Sequence, residues 1–312
     1  MNKRFAIGID LGGTNLRCAI ISRDGEIVRK VSEPTSDDVQ ATVLRLIGNL
    51  FSDDVIGVGL GVAGLIDRKQ GRVLISPNLP GIQDIDFING IRQRFNLPVF
   101  IENDANAAAF GELISGAGKG LSNFVLFTLG TGIGGGIIYD GDILGVSAEI
   151  GHMSIDAEGE KCPCGNNGCL ESYASARAIL SKTISLLEKG RESILERYCN
   201  GNFYKLTAED IFSAALDGDM LSREILKTAG RYLGIGIANM INIMSPEAVI
   251  LTGGLTGAWD IYVTEAIREA SRRAFKDLFE RTRIIPSTLM GDAGIVGSAG
   301  LVFRSQEMPV RN

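Results

Sequence analysis

Apolar and polar residues alternate over Phe5–Asp10 and again over Asn15–Ser22, on either side of Leu11-Gly-Gly-Thr14, and Asp24-Gly25 then turns the chain into Glu26–Glu33. A period of two broken by turn residues predicts a three-stranded antiparallel meander. Residues 36–51 space their apolar positions as a helix does, and Val55–Val62 reads as a further strand, which gives the order β-β-β-α-β. Val99–Glu102 is a short buried strand running into an Ala-rich helix over 103–115. The pattern then starts again, with a strand over Asn123–Leu129, a glycine turn and a return strand over Gly136–Tyr139. Leu129-Gly-Thr-Gly132 echoes Leu11-Gly-Gly-Thr14, a weak internal similarity that points to a duplicated unit. Helices are expected through 170–244, a strand over Ala248–Thr252, a helix over 258–277 and a last helix over about 293–303. These elements predict an α/β chain of two lobes with a cleft: 1–115, with the last helix packing back on it, and 116–292.

Composition narrows the function. The 312 residues carry 45% hydrophobic and 22% charged side chains, the mix of a globular protein long enough for two cores. A net charge of −6 offers no basic field for a nucleic-acid backbone. No apolar run of about 18 residues and no leader pattern occurs, so the protein is expected to remain in the cytoplasm, away from membranes. Of five cysteines, Cys162, Cys164 and Cys169 crowd into eight positions, which suits a metal in a reducing compartment; Cys18 and Cys199 read as buried thiols.

Three glycine turns close predicted strands: Asp10-Leu-Gly12-Gly13-Thr14-Asn15, Leu129-Gly-Thr131-Gly132-Ile-Gly-Gly135 and Leu251-Thr-Gly253-Gly254. Glycine lets backbone N–H groups approach phosphate oxygens with no Cβ in the way, and the threonines add hydroxyl donors. Any one of these is as well explained by a tight hairpin, whereas three together point to a phosphate chain. None matches a G-x-x-x-x-G-K-[ST] loop or a dinucleotide fingerprint. Asp10, beside the first turn, is placed to orient Mg²⁺ or its waters. In Glu102-Asn103-Asp104 the last two residues stand at a strand-to-helix junction. Asn103 and Asp104 are there either a capping pair or, for Asp104, the base that takes a hydroxyl proton during phosphoryl transfer. The only histidine, His152, precedes Cys162-Pro-Cys164-Gly-Asn-Asn-Gly-Cys169, so three thiolates and one imidazole form a closed tetrahedral zinc set in the loop 152–171. Glu149 and Glu171 flank it as polar groups able to read hydroxyls, or else as surface charge.

With Gly61-Val-Ala-Gly64, Pro77-Asn78-Leu-Pro-Gly81, Glu102-Asn-Asp-Ala-Asn-Ala-Ala107 and Glu149-Ile-Gly-His152 added to these motifs, the chain resembles the ROK family of bacterial sugar kinases and repressors, and its glucokinases most, over essentially its whole length. The resemblance implies an actin-like ATPase (duplicated ribonuclease H-like) fold and a homodimer or homotetramer. It implies MgATP lying across the three turns, at Gly12, Gly13, Thr14, Asn15, Thr131, Gly132, Gly253 and Gly254. By the same match Asp104 is the catalytic base towards a sugar 6-hydroxyl. Gly64, Asn78, Asn103, Asp104, Glu149, His152 and Glu171 contact the hexose, and His152, Cys162, Cys164 and Cys169 hold a structural zinc. Glucose is the first substrate expected, with N-acetylmannosamine, N-acetylglucosamine and fructose as alternatives. A sugar-sensing regulator without a DNA-binding domain is the alternative of another class. Two departures stand out: the stretch from Gly141 to Glu149 is about four residues shorter than the family pattern, and Ile82 stands where such glucokinases often carry Trp.

Overall fold

The computed structural model describes residues 4–68, 70–76, 79 and 81–307. Its strands are β1 (Phe5–Leu11), β2 (Asn15–Ser22), β3 (Ile27–Pro34), β4 (Val55–Val62), β5 (Leu65–Asp67), β6 (Arg72–Ile75), β7 (Val99–Asn103), β8 (Phe124–Leu129), β9 (Ile133–Tyr139), β10 (Asp142–Ile143), β11 (Ala248–Thr252) and β12 (Arg283–Pro286). The helices are α1 (Val39–Leu50), α2 (Phe87–Phe95), α3 (Asp104–Ser115), α4 (Glu171–Ala174), α5 (Ala176–Glu188), α6 (Leu195–Tyr198), α7 (Ala208–Leu216), α8 (Met220–Met244), α9 (Thr264–Arg273), α10 (Lys276–Arg281) and α11 (Ala293–Glu307). The chain forms two compact units. One comprises Met1–Leu126, Gly136–Ala148 and Ser287–Asn312; the other comprises Phe127–Gly135 and Glu149–Pro286. No helix among the described residues is long and apolar enough to cross a membrane.

The first sheet runs β3-β2-β1-β4-β7, antiparallel through the meander and parallel from β1 to β4 to β7. The period of two along β1 sorts its residues by size. Ile7, Ile9 and Leu11 enter one core with Val43, Leu46 and Ile47 of α1 and Phe87 and Ile91 of α2. Ala6, with Ala19 and Ile21 of β2, faces Ile295, Val296 and Ala299 of α11 on the other side. Gly8 and Gly59 share that second face because α11 lies directly on the strands. A Cβ on Gly8 would stand 2.0 Å from the Ile295 carbonyl oxygen, and one on Gly59 1.7 Å from that of Ser298. The crossing of α3 and α11 is as tight, since a Cβ on Gly297 would stand 1.6 Å from the Ala107 carbonyl oxygen.

The second sheet has the order β10-β9-β8-β11-β12, with β9–β10 antiparallel and β11–β12 parallel. Both sheets therefore put a three-stranded meander beside parallel strands, and the two echoing glycine segments occupy the same place in each, between the first two strands. In the second unit α8 runs along α9, and Gly230 and Gly234 face backbone there, at 2.3 Å from Tyr262 O and 2.5 Å from Ala266 O for a Cβ.

Some elements depart from the periodicity reading. β9 begins at Ile133 instead of Gly136. Residues 258–277 are not one helix: Ala274 is extended, and the Phe275 N–H leaves the helix to donate to Asn242 Oδ1 at 2.9 Å, so α9 and α10 are separate. Helix α2 and the β5–β6 hairpin were not expected; α2 is short and polar on most of its surface, and the hairpin strands have three and four residues.

The glycine contacts give a direct test. Gly59→Ala is expected to destabilise the protein by about 3 kcal/mol or more, because carbonyl backbone cannot yield as a side chain does. Gly48→Ala, on the exposed face of α1 with its nearest neighbour at 3.9 Å, is expected to stabilise by about 0.5–1 kcal/mol. Urea midpoints of both variants against the parent check the pair.

Candidate functional site

The parallel register sets Asp10, Gly61 and Glu102 abreast at the carboxyl ends of β1, β4 and β7, the end at which open α/β sheets place their ligands. Asp10 lies against the first turn of α11, where a Cβ on Gly294 would stand 3.1 Å from its Cγ. Only 21% of its side chain is exposed, and Arg17 Nη1, on the paired strand, is 3.6 Å from Oδ2. Arg17 is itself held by donating to the Gly291 carbonyl. Burial above all, then the charge of Asp104, pushes the Asp10 carboxyl up to about 6 against the pull of Arg17, and Asp292 adds to the rise. A carboxylate in that state is relieved by a divalent cation, which fits the oxygen chemistry of Mg²⁺.

Asn103 and Asp104, one pair in the sequence, separate in role. Asn103 is the N-cap of α3: its Oδ1 accepts from Ala105 N at 3.0 Å and Asn106 N at 3.1 Å, and its Nδ2 donates to Gly64 O at 2.9 Å. Asp104 is the first helical residue, with Oδ1 accepting from Ala105 N at 2.9 Å. Gly64 reaches Asn103 because it lacks a side chain. It has φ +140°, and a Cβ would stand 2.3 Å from Ile75 O. Behind the pair, Glu102 is a carboxylate with 4% exposure. Arg68 grips it with two bonds, Nε to Oε2 at 2.6 Å and Nη2 to Oε1 at 2.7 Å, while Asn103 N and Asn106 Nδ2 donate to Oε1 at 2.8 and 3.2 Å. Asn106 Nδ2 and Arg68 Nη2 also donate to the Val146 carbonyl, at 3.0 and 3.3 Å, which pins the 141–149 stretch. Paired and fully hydrogen-bonded, a buried carboxylate is tolerated, and its removal from such a web is costly. Sequence reading saw Glu102 and Asn106 only as parts of a motif; Arg68 carried no signal, because its partner Glu102 is distant in the chain. Asn78 lies outside the described residues. Ile82, the position expected to bear on sugar choice, is 1% exposed in the first core.

The turn after β1 is exposed at Gly13, Thr14 and Asn15 and tied at its base. Thr35 donates from Oγ1 to Gly12 O at 2.7 Å and from N to Thr14 O at 2.9 Å, and Gly12 N donates to Asn15 O at 3.0 Å. In the second unit the turn after β8 rests on Glu171. Its Oε2 accepts from Ile133 N at 2.9 Å, its Oε1 accepts from Arg177 at 2.6 Å, and any Cβ on Gly132 would strike it at 2.4 Å. Thr131 stands exposed at the tip. Gly253, at φ +101°, sits where a Cβ would come 2.4 Å from Leu129 O, so the turn carrying Gly253 and Gly254 is set beside the end of β8. Glu149 is exposed and starts the short turn Ile150–His152.

The ligating atoms of His152, Cys162, Cys164 and Cys169 all lie within 4.8 Å of one another. His152 Nδ1 is 3.6 Å from Cys162 Sγ, and Cys164 and Cys169 Sγ are 3.7 Å apart. Tetrahedral metal bonds of about 2.0–2.3 Å give edges of about 3.3–3.8 Å, so the set fits Zn²⁺. Nδ1 is the nitrogen that faces the thiols, which leaves Nε2 for another partner. The loop is folded for this purpose by its own backbone. Gly168 has φ +67° because a Cβ would stand 1.7 Å from Asp156 O, and the Tyr173 hydroxyl accepts from Glu160 N at 2.7 Å.

The sequence profile of the ROK family matches residues 6–305. The glucokinase of Halalkalibacterium halodurans is 35% identical over 322 residues, covering 98% of this chain and 97% of its own. The xylose repressor of Bacillus subtilis is 33% identical, over 96% of this chain and 77% of its own. Among solved structures, a ROK family glucokinase from Streptomyces griseus in complex with glucose and AMPPNP superposes with a TM-score of 0.85 at 30% identity, covering 96% of this chain and 99% of the other.

Two outcomes follow from the site. Because the folded Asp10 holds a proton up to about pH 6 and an unfolded aspartate only up to about pH 4, native stability falls as pH rises through that window. Asp10→Asn removes the effect, so its stability relative to the parent should rise by about 1–2 kcal/mol between pH 4 and 7.5, read from urea midpoints at each pH. Cys164→Ser should lose most of the zinc found in the purified parent by elemental analysis and melt at a lower temperature; an unchanged metal content would remove Cys164 from the ligand set.

Proposed function

This chain belongs to the ROK family, has the actin-like ATPase fold and is a sugar kinase, and we propose that it transfers the γ-phosphoryl group of MgATP to the 6-hydroxyl of a hexose, glucose first. The observation that supports this most is the position of Asp104. It follows directly on the aligned strand ends, in the first turn of a helix capped by its neighbour, and its charge acts on Asp10. Phosphoryl transfer passes through a loose transition state that needs placement and charge neutralisation more than covalent help. Asp104 accepts the hydroxyl proton as the oxygen attacks phosphorus. Asp10 would hold Mg²⁺ or its waters, and the bound ion would supply positive charge to the phosphate oxygens. Gly12, Gly13, Thr14 and Asn15, with Thr131, Gly132, Gly253 and Gly254, offer N–H and hydroxyl donors to the phosphate chain.

Gly64, Asn78, Asn103, Glu149, His152 and Glu171 are the proposed hexose contacts. Asn103 supports this through geometry, since one of its amide hydrogens is used on Gly64 and the other remains for a sugar oxygen. The zinc in this reading is structural: four protein ligands close its coordination, and it keeps His152 in place. A second reading, a sugar-responsive regulator, is favoured by the likeness to the xylose repressor over 96% of this chain.

Turnover separates the two. ADP release should be seen with MgATP and one of glucose, mannose, fructose, N-acetylglucosamine or N-acetylmannosamine. Asp104→Ala should lower kcat by about 10²–10⁴-fold while nucleotide affinity stays within a few-fold. Silence across the sugars, with hexose binding retained, would favour the regulator; loss of nucleotide binding in the variant would take the role of base from Asp104.

A further inference from the structure

A cavity of about 550 Å³ in the first unit has no part in the reading above. Its floor is the outer edge of β7, the last strand of its sheet, and arginines from three other elements line it. Arg68 and Arg72 flank or begin the strands of the β5–β6 hairpin, Arg92 comes from α2 and Arg304 from α11. Only two carboxylates, Asp86 and Glu102, stand against these four guanidiniums, in a chain whose net charge is −6. Both carboxylates are already engaged. Glu102 is gripped by Arg68, and Asp86 caps α2, accepting from Asn89 N at 3.0 Å and Asn89 Nδ2 at 2.6 Å. Arg72 and Arg92 make no close ion pair among the described residues; both stand near enough to Asp86 to help hold its carboxyl below the usual range, after the hydrogen bonds from Asn89. Arg304 pairs with Asp142 through Nη2, yet its Nε is buried with no hydrogen-bond partner there.

Four guanidinium groups converging on one hollow, two of them in no close ion pair and a third with a buried, unpartnered Nε, suit an anion with several acceptor oxygens. Planar forks of N–H donors match phosphate better than any neutral group. The volume exceeds what inorganic phosphate fills and falls within the range of about 300–1,000 Å³ typical of small-molecule pockets. We propose that this cavity binds a phosphorylated small molecule and that Arg68 carries its occupancy to Asn103 and Asp104. Arg68 lines the cavity and also holds Glu102, which accepts from Asn103 N. A phosphate that draws on the Arg68 guanidinium weakens its hold on a buried carboxylate and loosens the strand-to-helix junction on which Asp104 stands. This coupling rests on the kinase reading; the binding does not.

The test is calorimetric titration of the full chain with glucose 6-phosphate, 3-phosphoglycerate and inorganic phosphate, each with and without saturating AMPPNP and glucose. At least one organic phosphate is expected to bind in both conditions. Its Kd should rise about tenfold or more in Arg72→Ala/Arg92→Ala and stay within about twofold in Asp104→Ala. The two arginines are exposed, so circular dichroism is expected to show the double variant folded. Inorganic phosphate binding as tightly as the organic phosphates would overturn the claim to a small molecule, leaving a simple anion site. No binding below about 5 mM, or binding untouched by the double substitution, overturns the site itself. In the coupled assay the same phosphate should lower kcat of the parent and not of the double variant; equal effects overturn the coupling. A chain without turnover that still binds through Arg72 and Arg92 would refute the kinase reading and keep the site.

Discussion

Helix α11 lies on the first sheet with its backbone directly against Gly8 of β1 and Gly59 of β4, and the geometry of the site depends on that contact. Gly8 and Gly59 face its carbonyls, and Gly297 brings it equally close to α3. With α11 and α3 at backbone distance, Asp10 meets the first turn of α11. A Cβ on Gly61 would stand 3.6 Å from Asp104 Cα. Side chains in that layer would lift both helices and separate the two carboxylates whose mutual charge is felt at Asp10. Packing at close density transmits such a displacement and does not absorb it.

The same closeness sets an electrostatic condition. Three carboxylates, Asp10, Glu102 and Asp104, stand at neighbouring strand ends, and each is treated differently. Glu102 is neutralised by Arg68 and supplied with further donors, which makes it a support. Asp10 is left under-compensated, with Arg17 at 3.6 Å and burial working against its charge. Asp104 stands in the first turn of α3, with Oδ1 accepting from Ala105 N at 2.9 Å. One carboxylate fixed by an arginine and two left close enough to act on each other's charge make the strand ends electrostatically uneven.

In the second unit rigidity comes from braced turns and a folded loop. Glu171 braces the turn at Gly132, Gly253 braces its own turn against β8, and the Cys₃His loop folds on glycines with positive φ and on Tyr173. A metal held by these four side chains would fix a loop too short to have a core of its own.

The sequence by itself determined much of this. Period-two alternation marked the meander, short apolar runs marked the strands at Val55–Val62 and Val99–Glu102, the glycine turns marked strand ends, and the cysteine spacing suggested a metal set, because these signals are local and a few residues carry them. The repeated order of the two sheets was visible only as the echo between Leu11-Gly-Gly-Thr14 and Leu129-Gly-Thr-Gly132. The tertiary structure alone decided the rest. It split Asn103 from Asp104, giving the cap to one and the first helical position to the other. It joined Arg68 to Glu102 across 34 residues and brought arginines from the hairpin, α2 and α11 to one hollow. It also turned Gly8, Gly59 and Gly297 from interruptions in a pattern into the surface on which a distant helix rests. Ion pairs and close backbone contacts link positions far apart in the chain, so no single-sequence period records them, and they exist only once the sheet has fixed which strand ends lie side by side.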